Sequence, residues 1–377
     1  MASHDERVLG LIPYDGALTI SDLVRDSGLS RPTVTGVLGR LHAAGAVEET
    51  VVAPAGLGRP AKRWRRPPRH GTFGVIALSR DAVRVRVVVG DDRHAAERER
   101  RLDVSLDAQG ALVHGHRFLR ECLTELGAPA DGLSRVVLGL PCPVGGPEGD
   151  HPRVRGILPD WIGIRPAESL RALLPGTAIV MENDANLGAL GELEQGAGRG
   201  GTDLVYIKLA PGLGAALILG RRRLHRGAAG LAGEIGHVQI NPMGHPCACG
   251  ARGCLATEIP LDPWHEPPAS AEPFPAGDPA ADRVLHRLGA LLGEQLGALA
   301  NLLDPGRVIV STDTTPPPPV LLDGIRDGIR RTALPVVSDL PVVASPLGIR
   351  AELIGGIALA RSGDATPSRT GDQRTST

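Results

Sequence analysis

The first fifty residues alternate apolar and polar positions at helical spacing. Val8, Leu9, Leu11 and Ile12 form the apolar side of a first helix, which stops at Pro13. Thr19 is placed to cap a second helix that buries Leu23 and Val24 and ends at Gly28. Ser30 is placed to cap a third, with Pro32 tolerated in its first turn. Val34, Val37, Leu38 and Leu41 face inward there, and Gly45 ends the helix. Two helices joined by so short a turn predict a helix-turn-helix. A strand-like run over 46–52, a loop over 54–60 and a returning strand over 61–66 complete a β-wing.

Beyond a linker at 67–71 the period changes. Strands are expected at 73–78 and 83–89 around a turn at 79–81, then at 136–140 and 178–181. Paired strands follow at 204–209 and 215–219, and 308–310 reads as the last core strand. Helices are expected at 111–126, 187–194 and 283–303, the last separated from its strand by Asp304-Pro305-Gly306. Residues 265–280 read as a Pro/Ala-rich surface loop, 314–319 as a proline-rich break and 362–377 as a disordered polar tail. Such alternation of strands and helices predicts an α/β fold.

The 377 residues suggest two or three domains, and the 42% hydrophobic content supplies a substantial core. Aromatics are only 2%, so aliphatic side chains and alanine must fill it. Lys62 and Lys208 are the only lysines. The net charge of −1 says nothing about partners, but its distribution does. Residues 59–69 carry Arg59, Lys62, Arg63, Arg65, Arg66 and Arg69 with no acidic residue. No apolar run reaches the ~18 residues of a membrane span, and the N-terminus does not read as a signal peptide. A soluble, cytoplasmic protein without a membrane partner is therefore expected.

In the helix-turn-helix, Arg31, Thr33 and Thr35 fall in the first turns of the third helix, within reach of base edges and phosphates. Arg40, two turns on, is placed for a phosphate. Gly58-Arg59-Pro60, followed by Lys62 and Arg63, is narrow enough for a minor groove. The bland alternative for the basic run is a solvated linker.

A second cluster carries different chemistry. His237 is followed by nine residues and then by Cys247, Cys249 and Cys254. Thiolate and imidazole are the ligands a tetrahedral zinc prefers, and three Cys with one His leave no open position. Such a zinc is structural rather than catalytic. Inert buried thiols are the alternative. A disulfide framework fits poorly, because the five cysteines are odd in number and Cys122 and Cys142 lie far away.

Three motifs together resemble the ROK family (repressors, open reading frames, kinases): Glu182-Asn-Asp-Ala-Asn, Gly233-Glu-Ile-Gly-His237 and Cys247-x-Cys-Gly-x-x-Gly-Cys254. Leu140-Pro-Cys-Pro and Leu158-Pro-Asp-Trp add weaker support. The resemblance implies a two-lobed actin/hexokinase-like (ribonuclease H-like) α/β body over 72–361. A winged helix-turn-helix DNA-binding domain over 1–66 would precede it. It also implies a structural zinc on His237, Cys247, Cys249 and Cys254, and sugar contacts on Asn183, Asp184, Glu234 and His237. The implied partners are operator DNA, a sugar or sugar-derivative effector, and a second copy of the chain in a homodimer or homotetramer.

The family includes sugar kinases, so the phosphate turns decide between enzyme and regulator. The first turn in the kinases is Asp-x-Gly-x-Thr; here it reads Ala77-Leu-Ser-Arg-Asp-Ala-Val, without glycine. The second is Gly-Thr-Gly-x-Gly; here it is Ala210-Pro211-Gly212-Leu213-Gly214, and proline removes a hydroxyl and a backbone donor. A Gly-Gly after the late core strand is replaced by Ser311-Thr-Asp-Thr-Thr. Three losses together argue against phosphoryl transfer and for a non-enzymatic, sugar-responsive transcriptional regulator, a repressor. One departure touches the sugar side. A glutamate expected two residues after the last cysteine is Ala256, so either Glu258 substitutes from a shifted turn or a contact is lost.

Overall fold

The computed structural model describes residues 4–12, 17–52, 61–66, 71–90, 92–145, 159–210, 212–220, 222–259 and 278–362. Near the N-terminus the expected caps form. The Thr19 hydroxyl accepts the Asp22 amide while the Asp22 carboxylate accepts the Thr19 amide, which closes a capping box. Replacing Thr19 by alanine would cost about 1 kcal/mol. This box starts α2 (Ile20–Ser27), and Gly28 in the left-handed region ends it. Ser30 accepts the Thr33 amide at the start of α3 (Arg31–Ala43). The side chains predicted to face inward on α3 do so, packed with Leu23 and with Val8, Leu11 and Ile12 around α1 (His4–Leu11). Strand β2 (Glu48–Val52) pairs antiparallel with β3 (Ala61–Arg65), which also pairs with the two-residue β1 (Leu18–Thr19). Pro13, the wing tip with Gly58-Arg59-Pro60, residues 67–70 of the expected linker and the tail from 363 lie outside the described residues.

Two five-stranded sheets follow, and they share one strand order. The first contains β4 (Thr72–Leu78), β5 (Ala82–Val89), β6 (Ala95–Arg101), β7 (Leu133–Leu140) and β8 (Ala178–Asn183) in the order β6-β5-β4-β7-β8. The second contains β9 (Leu204–Leu209), β10 (Leu213–Leu219), β11 (Arg223–His225), β12 (Val308–Thr312) and β13 (Val342–Ala344) in the order β11-β10-β9-β12-β13. In each, the first three strands form an antiparallel meander and the last two run parallel to the first. This repeated order is the two-lobed α/β architecture that the resemblance implied.

Helices cover both faces. α4 (Ala108–Glu125) and α5 (Pro166–Leu173) bury Leu112, Leu119 and Leu170 against the outer face of the first sheet. Past the one-turn α7 (Leu255–Glu258), α8 (Pro279–Leu303) and α9 (Pro319–Thr332) bury Leu292, Leu296, Ile325 and Ile329 against the second. Between the lobes, α6 (Asp184–Gln195) packs Leu187 toward the first sheet and Ala185, Ala189 and Leu193 toward the second. α10 (Arg350–Ser362) lies against α6 and the first sheet through Leu353 and Ile357. The two helices cross at glycine. A Cβ on Gly191 would meet the Ala351 carbonyl at 2.0 Å, and one on Gly355 would meet the Leu187 carbonyl at 1.8 Å.

Several elements depart from expectation. Strand 308–310 is not the last core strand, because β13 pairs parallel with β12. The proline run at 314–319 does not break the fold; Pro319 opens α9, where a missing amide costs nothing. The loop predicted to reach 280 ends at Asp278, which caps α8; residues 260–277 are outside the described set. β6 escaped notice because its sequence is charged. Its glutamates pair with arginines on the neighbouring strand, Arg84 with Glu99 and Arg86 with Glu97. No helix among the described residues is long and apolar enough to cross a membrane.

Candidate ligand and metal site

The carboxyl end of β8 runs directly into α6, and Asn183 is the cap. Its side-chain oxygen accepts the Asn186 amide at 3.1 Å while its amide nitrogen donates to the Cys142 carbonyl at 3.2 Å. Cap and expected ligand are thus the same residue. Beneath it Glu182 is buried; one oxygen accepts from Asn183 and Asn186, the other from Arg226 Nε at 2.7 Å. Next in the chain, Asp184 is also buried. Its Oδ1 accepts the Ala185 amide at 2.8 Å, and its Oδ2 meets Lys208 Nζ at 2.6 Å.

Glu234 and His237 arrive on a different segment, a single 3-10 turn over Ile235–His237 that rests on β10. Gly233 lets the turn approach: at φ 98° it brings its Cα so close to β10 that a Cβ would meet the Ala215 carbonyl at 2.2 Å. Glu234 Oε2 then lies 3.7 Å from His237 Nε2. Burial first, and the Asp184 carboxylate second, push the Glu234 carboxyl up to about 7. Cys142 is buried below, and its thiol is raised well above its usual value by burial and then by Asp184 and Glu234. The β8–α6 junction and the 233–237 turn both border the start of β10: a Cβ on Gly214 would lie 3.2 Å from the Ala185 methyl, and one on Gly236 3.0 Å from the Leu213 carbonyl.

The thiols converge on the other side of the imidazole. His237, Cys247, Cys249 and Cys254 bring one donor atom each within 4.8 Å of one another. Cys249 Sγ and Cys254 Sγ are 3.7 Å apart, and Cys247 Sγ is 3.5 Å from His237 Nδ1. Metal–sulfur bonds of about 2.3 Å give a tetrahedral edge of about 3.8 Å, so the donor set and spacing fit zinc. The Glu258 side chain braces this loop. It accepts the His245 amide at 2.9 Å and the Asn241 side chain at 3.0 Å, and so is committed away from the ligand groups. Ala256 lies near Gly236, at whose α-carbon an added Cβ would sit 3.4 Å from the alanine methyl.

The turns after β4 and β12, which the resemblance matched to phosphate loops, are satisfied by internal hydrogen bonds. After β4, the Ser79 hydroxyl donates to Asp81 Oδ1 at 2.8 Å and receives Arg84 Nη1 at 3.0 Å. The carbonyls of Arg80 and Asp81 accept Val104 and Leu102. After β12, the Thr312 hydroxyl donates to the Thr314 carbonyl at 2.6 Å. Pro211, in the turn after β9, is outside the described residues.

Of the expected DNA contacts, Arg31 and Thr35 are exposed at the start of α3, with the Thr35 hydroxyl turned back to the Arg31 carbonyl. Thr33 is half-buried and its hydroxyl lies 2.8 Å from Ser30 Oγ. Arg40 pairs with Asp5 on α1, and Lys62 with Glu49 on β2. Arg63 donates to the Ala17 carbonyl at 3.4 Å, and Arg59 is outside the described set. The basic run is thus partly absorbed: Arg65 pairs with Glu48, and Arg66 donates to the Leu9 and Ile12 carbonyls at the end of α1.

Sequence reasoning missed Lys208. It is one of only two lysines, and it sits inside the apolar strand β9. It is buried, 2.6 Å from both Asp184 and Glu352. Burial works against its charge, but the two carboxylates outweigh it and hold the ammonium well above the usual lysine value. A lysine within Val-Tyr-Ile-Lys-Leu was the available signal; its partner on α10 was not.

Comparison with known proteins agrees with this geometry. The model of the ROK family matches residues 130–362. A glucokinase of Streptomyces coelicolor is 32% identical over 222 residues, covering 50% of this chain and 69% of that enzyme. The DNA-binding transcriptional repressor Mlc of Escherichia coli is 24% identical over 384 residues, covering 94% of this chain and 91% of the repressor. The crystal structure of a ROK family transcriptional regulator, a homologue of the E. coli protein, superposes with a TM-score of 0.63 at 24% identity over 95% of both chains. A Streptomyces griseus ROK glucokinase solved with glucose and AMPPNP gives 0.62 at 25% identity, covering 78% of this chain and all of that one. The Mlc repressor and the solved regulator cover 94% and 95% of this chain against 50% and 78% for the two glucokinases, and the chain belongs to the ROK family.

Proposed function

We propose that this chain is a DNA-binding transcriptional repressor whose body senses a sugar or sugar derivative and transfers no phosphate. One observation carries the reading. A helix-turn-helix precedes a body in which the segments carrying Asn183 and Asp184 and carrying Glu234 and His237 border the same end of β10, while the turns after β4 and β12 are satisfied internally. The carboxylates offer strong acceptors for adjacent hydroxyls. A bound zinc supplies a structural cross-link at His237, Cys247, Cys249 and Cys254. His237, turning Nδ1 toward Cys247, keeps Nε2 on the Glu234 side, where a sugar hydroxyl can reach it. Arg31 and Thr35 are open to DNA, whereas Arg40 and Lys62 must leave Asp5 and Glu49 to meet phosphates. In a homodimer or homotetramer, a ligand that prefers one lobe arrangement would change the spacing of two such modules. The reading places the protein in the cytoplasm.

The experiment is a selection of genomic fragments on the purified protein, followed by gel shifts with and without sugars. Retention of a discrete fragment, released by one sugar, is expected. No retained fragment at low salt would sink the reading. A second reading, a repressor that answers no sugar, is favoured by Ala256 and by the commitment of Glu258 to Asn241 and His245. A thermal-shift screen of sugars and sugar phosphates without any stabilisation would select it.

A further inference from the structure

The buried cluster behind Asp184 has no part in the reading above, yet it joins three separate elements. Lys208 projects from β9 in the second lobe. Asp184 starts α6, the helix between the lobes, and Glu352 lies in the first turn of α10. Lys208 Nζ is 2.6 Å from a carboxylate oxygen of each. All three side chains are at least nine-tenths buried, with relative exposures of 4%, 10% and 1%. The Glu352 Oε2 atom is buried and has no hydrogen-bond partner among the described residues.

The same turn of α10 is held a second time. Arg350 donates to Glu97 on β6 at 2.9 Å, and Glu97 also pairs with Arg86 on β5. The first turn of α10 is therefore tied to the edge of the first sheet by Arg350 and to the ligand carboxylate by Glu352 through Lys208. Burying two carboxylates and one ammonium is costly unless geometry is good, and hydrophobic replacements of such groups are often at least as stable. Stability alone is thus a weak reason for this cluster.

We infer that Lys208 is a positioning residue of the ligand site: it fixes Asp184 as an acceptor for a polyol hydroxyl and couples that carboxylate to Glu352 on α10. The inference deepens the sugar-sensing reading and rests on it. The Asp184 carboxylate has about four lone-pair sites. The Ala185 amide and the Lys208 ammonium each take one, which aims the remainder and leaves no freedom for the side chain to turn. A hydroxyl donating to Asp184 draws charge away from the Lys208 contact, and the ammonium shifts its weight toward Glu352. Occupancy of the site is thereby felt at α10, which packs against α6 and the first sheet.

The chain itself offers a clean probe, because Lys62 and Lys208 are its only lysines. Full-length protein carrying 15N at lysine Nζ should give one exchange-protected ammonium signal, from buried Lys208, and none from exposed Lys62. The variant Lys62→Arg assigns it. Glucose, mannose, N-acetylglucosamine and their 6-phosphates are titrated by calorimetry and by this signal. The expected result is that a sugar which binds moves the Lys208 resonance.

The double variant Lys208→Met with Glu352→Gln removes the cation and its second counter-ion together. It should stay folded and bind the sugar about 10- to 100-fold more weakly, the value of a charge-assisted contact. Glu352→Gln alone keeps Lys208 against Asp184 and should lose less than the double variant. A sugar that binds without moving the Lys208 resonance overturns the coupling and leaves sugar sensing intact. A folded double variant with wild-type affinity does the same to the positioning role. If the double variant does not fold, the resonance in the wild-type protein decides. A wild-type protein that binds none of the six compounds overturns both this inference and the sugar-sensing reading.

Discussion

The carboxyl ends of β8, at the proposed sugar side, and of β4, at the turn matched to a kinase phosphate loop, treat their polar groups differently. At the end of β8, Asn183 and Asp184 are anchored from below by Glu182, Cys142 and Lys208, and the turn carrying Glu234 and His237 borders the same end of β10 as Ala185 does. At the end of β4, the Ser79 hydroxyl, the Asp81 carboxylate and two backbone carbonyls are consumed within the turn, by Arg84 on β5, or by Arg101, Leu102 and Val104 at and just past the end of β6. Ligand sites in α/β proteins lie at the carboxyl ends of strands, but position alone does not make a site. Polar groups held from behind remain available in front, whereas groups that satisfy one another leave nothing for a phosphate.

The contrast can be broken at several points. The largest effect is expected from Cys254→Ser, which removes a buried thiolate from the proposed zinc. Loss of a structural metal removes several kcal/mol of folding free energy, so the melting temperature should fall by about 10 °C or more. Zinc content by elemental analysis should drop with it, and an unchanged melt with no zinc in the wild type would mean inert thiols. Next is Asp184→Asn, for which calorimetry should show sugar binding weakened by about 10- to 100-fold. DNA retention at low salt should persist in that variant. An unaltered sugar affinity would reduce Asp184 to a helix-start residue.

Glu258→Gln sharpens the same side. Its carboxylate is spent on Asn241 and His245, so sugar affinity should change by less than about fivefold. A larger loss would show that Glu258 swings into the site and replaces the glutamate missing at Ala256. The smallest effect is expected on the phosphate side. Restoring Ala210→Gly and Pro211→Thr together should yield no sugar-dependent ATP turnover in a coupled assay, because the turns after β4 and β12 remain closed. Turnover in that variant, or in the wild type, would collapse the distinction between the two sides.

How much was legible in the sequence varied with the range of the interactions. Caps at Thr19 and Ser30 are local devices, and each stands where turn chemistry placed it. The His237, Cys247, Cys249 and Cys254 cluster was visible because its three cysteines fall within eight positions. The charged strand β6 was not, since only its arginine partners on β5 make Glu97 and Glu99 acceptable in a sheet. α10 was missed as well. Its glycines read as helix-weakening until α6 is seen to cross at Gly355.

By itself the sequence determined many of the local elements, the family motifs, the His/Cys cluster and the departures from the kinase turn sequences. These follow from caps, periodicity and short-range spacing, which the chain carries in consecutive residues. Only the tertiary structure decided that Glu258 faces the metal loop, that Arg40 and Lys62 are held by acids, and that Lys208 stands between Asp184 and Glu352. The 24 residues from Asp184 to Lys208 and the 144 from Lys208 to Glu352 carry no local mark of that meeting. A buried charge finds its partner through the packing of strands and helices, and burial is what makes the partner obligatory.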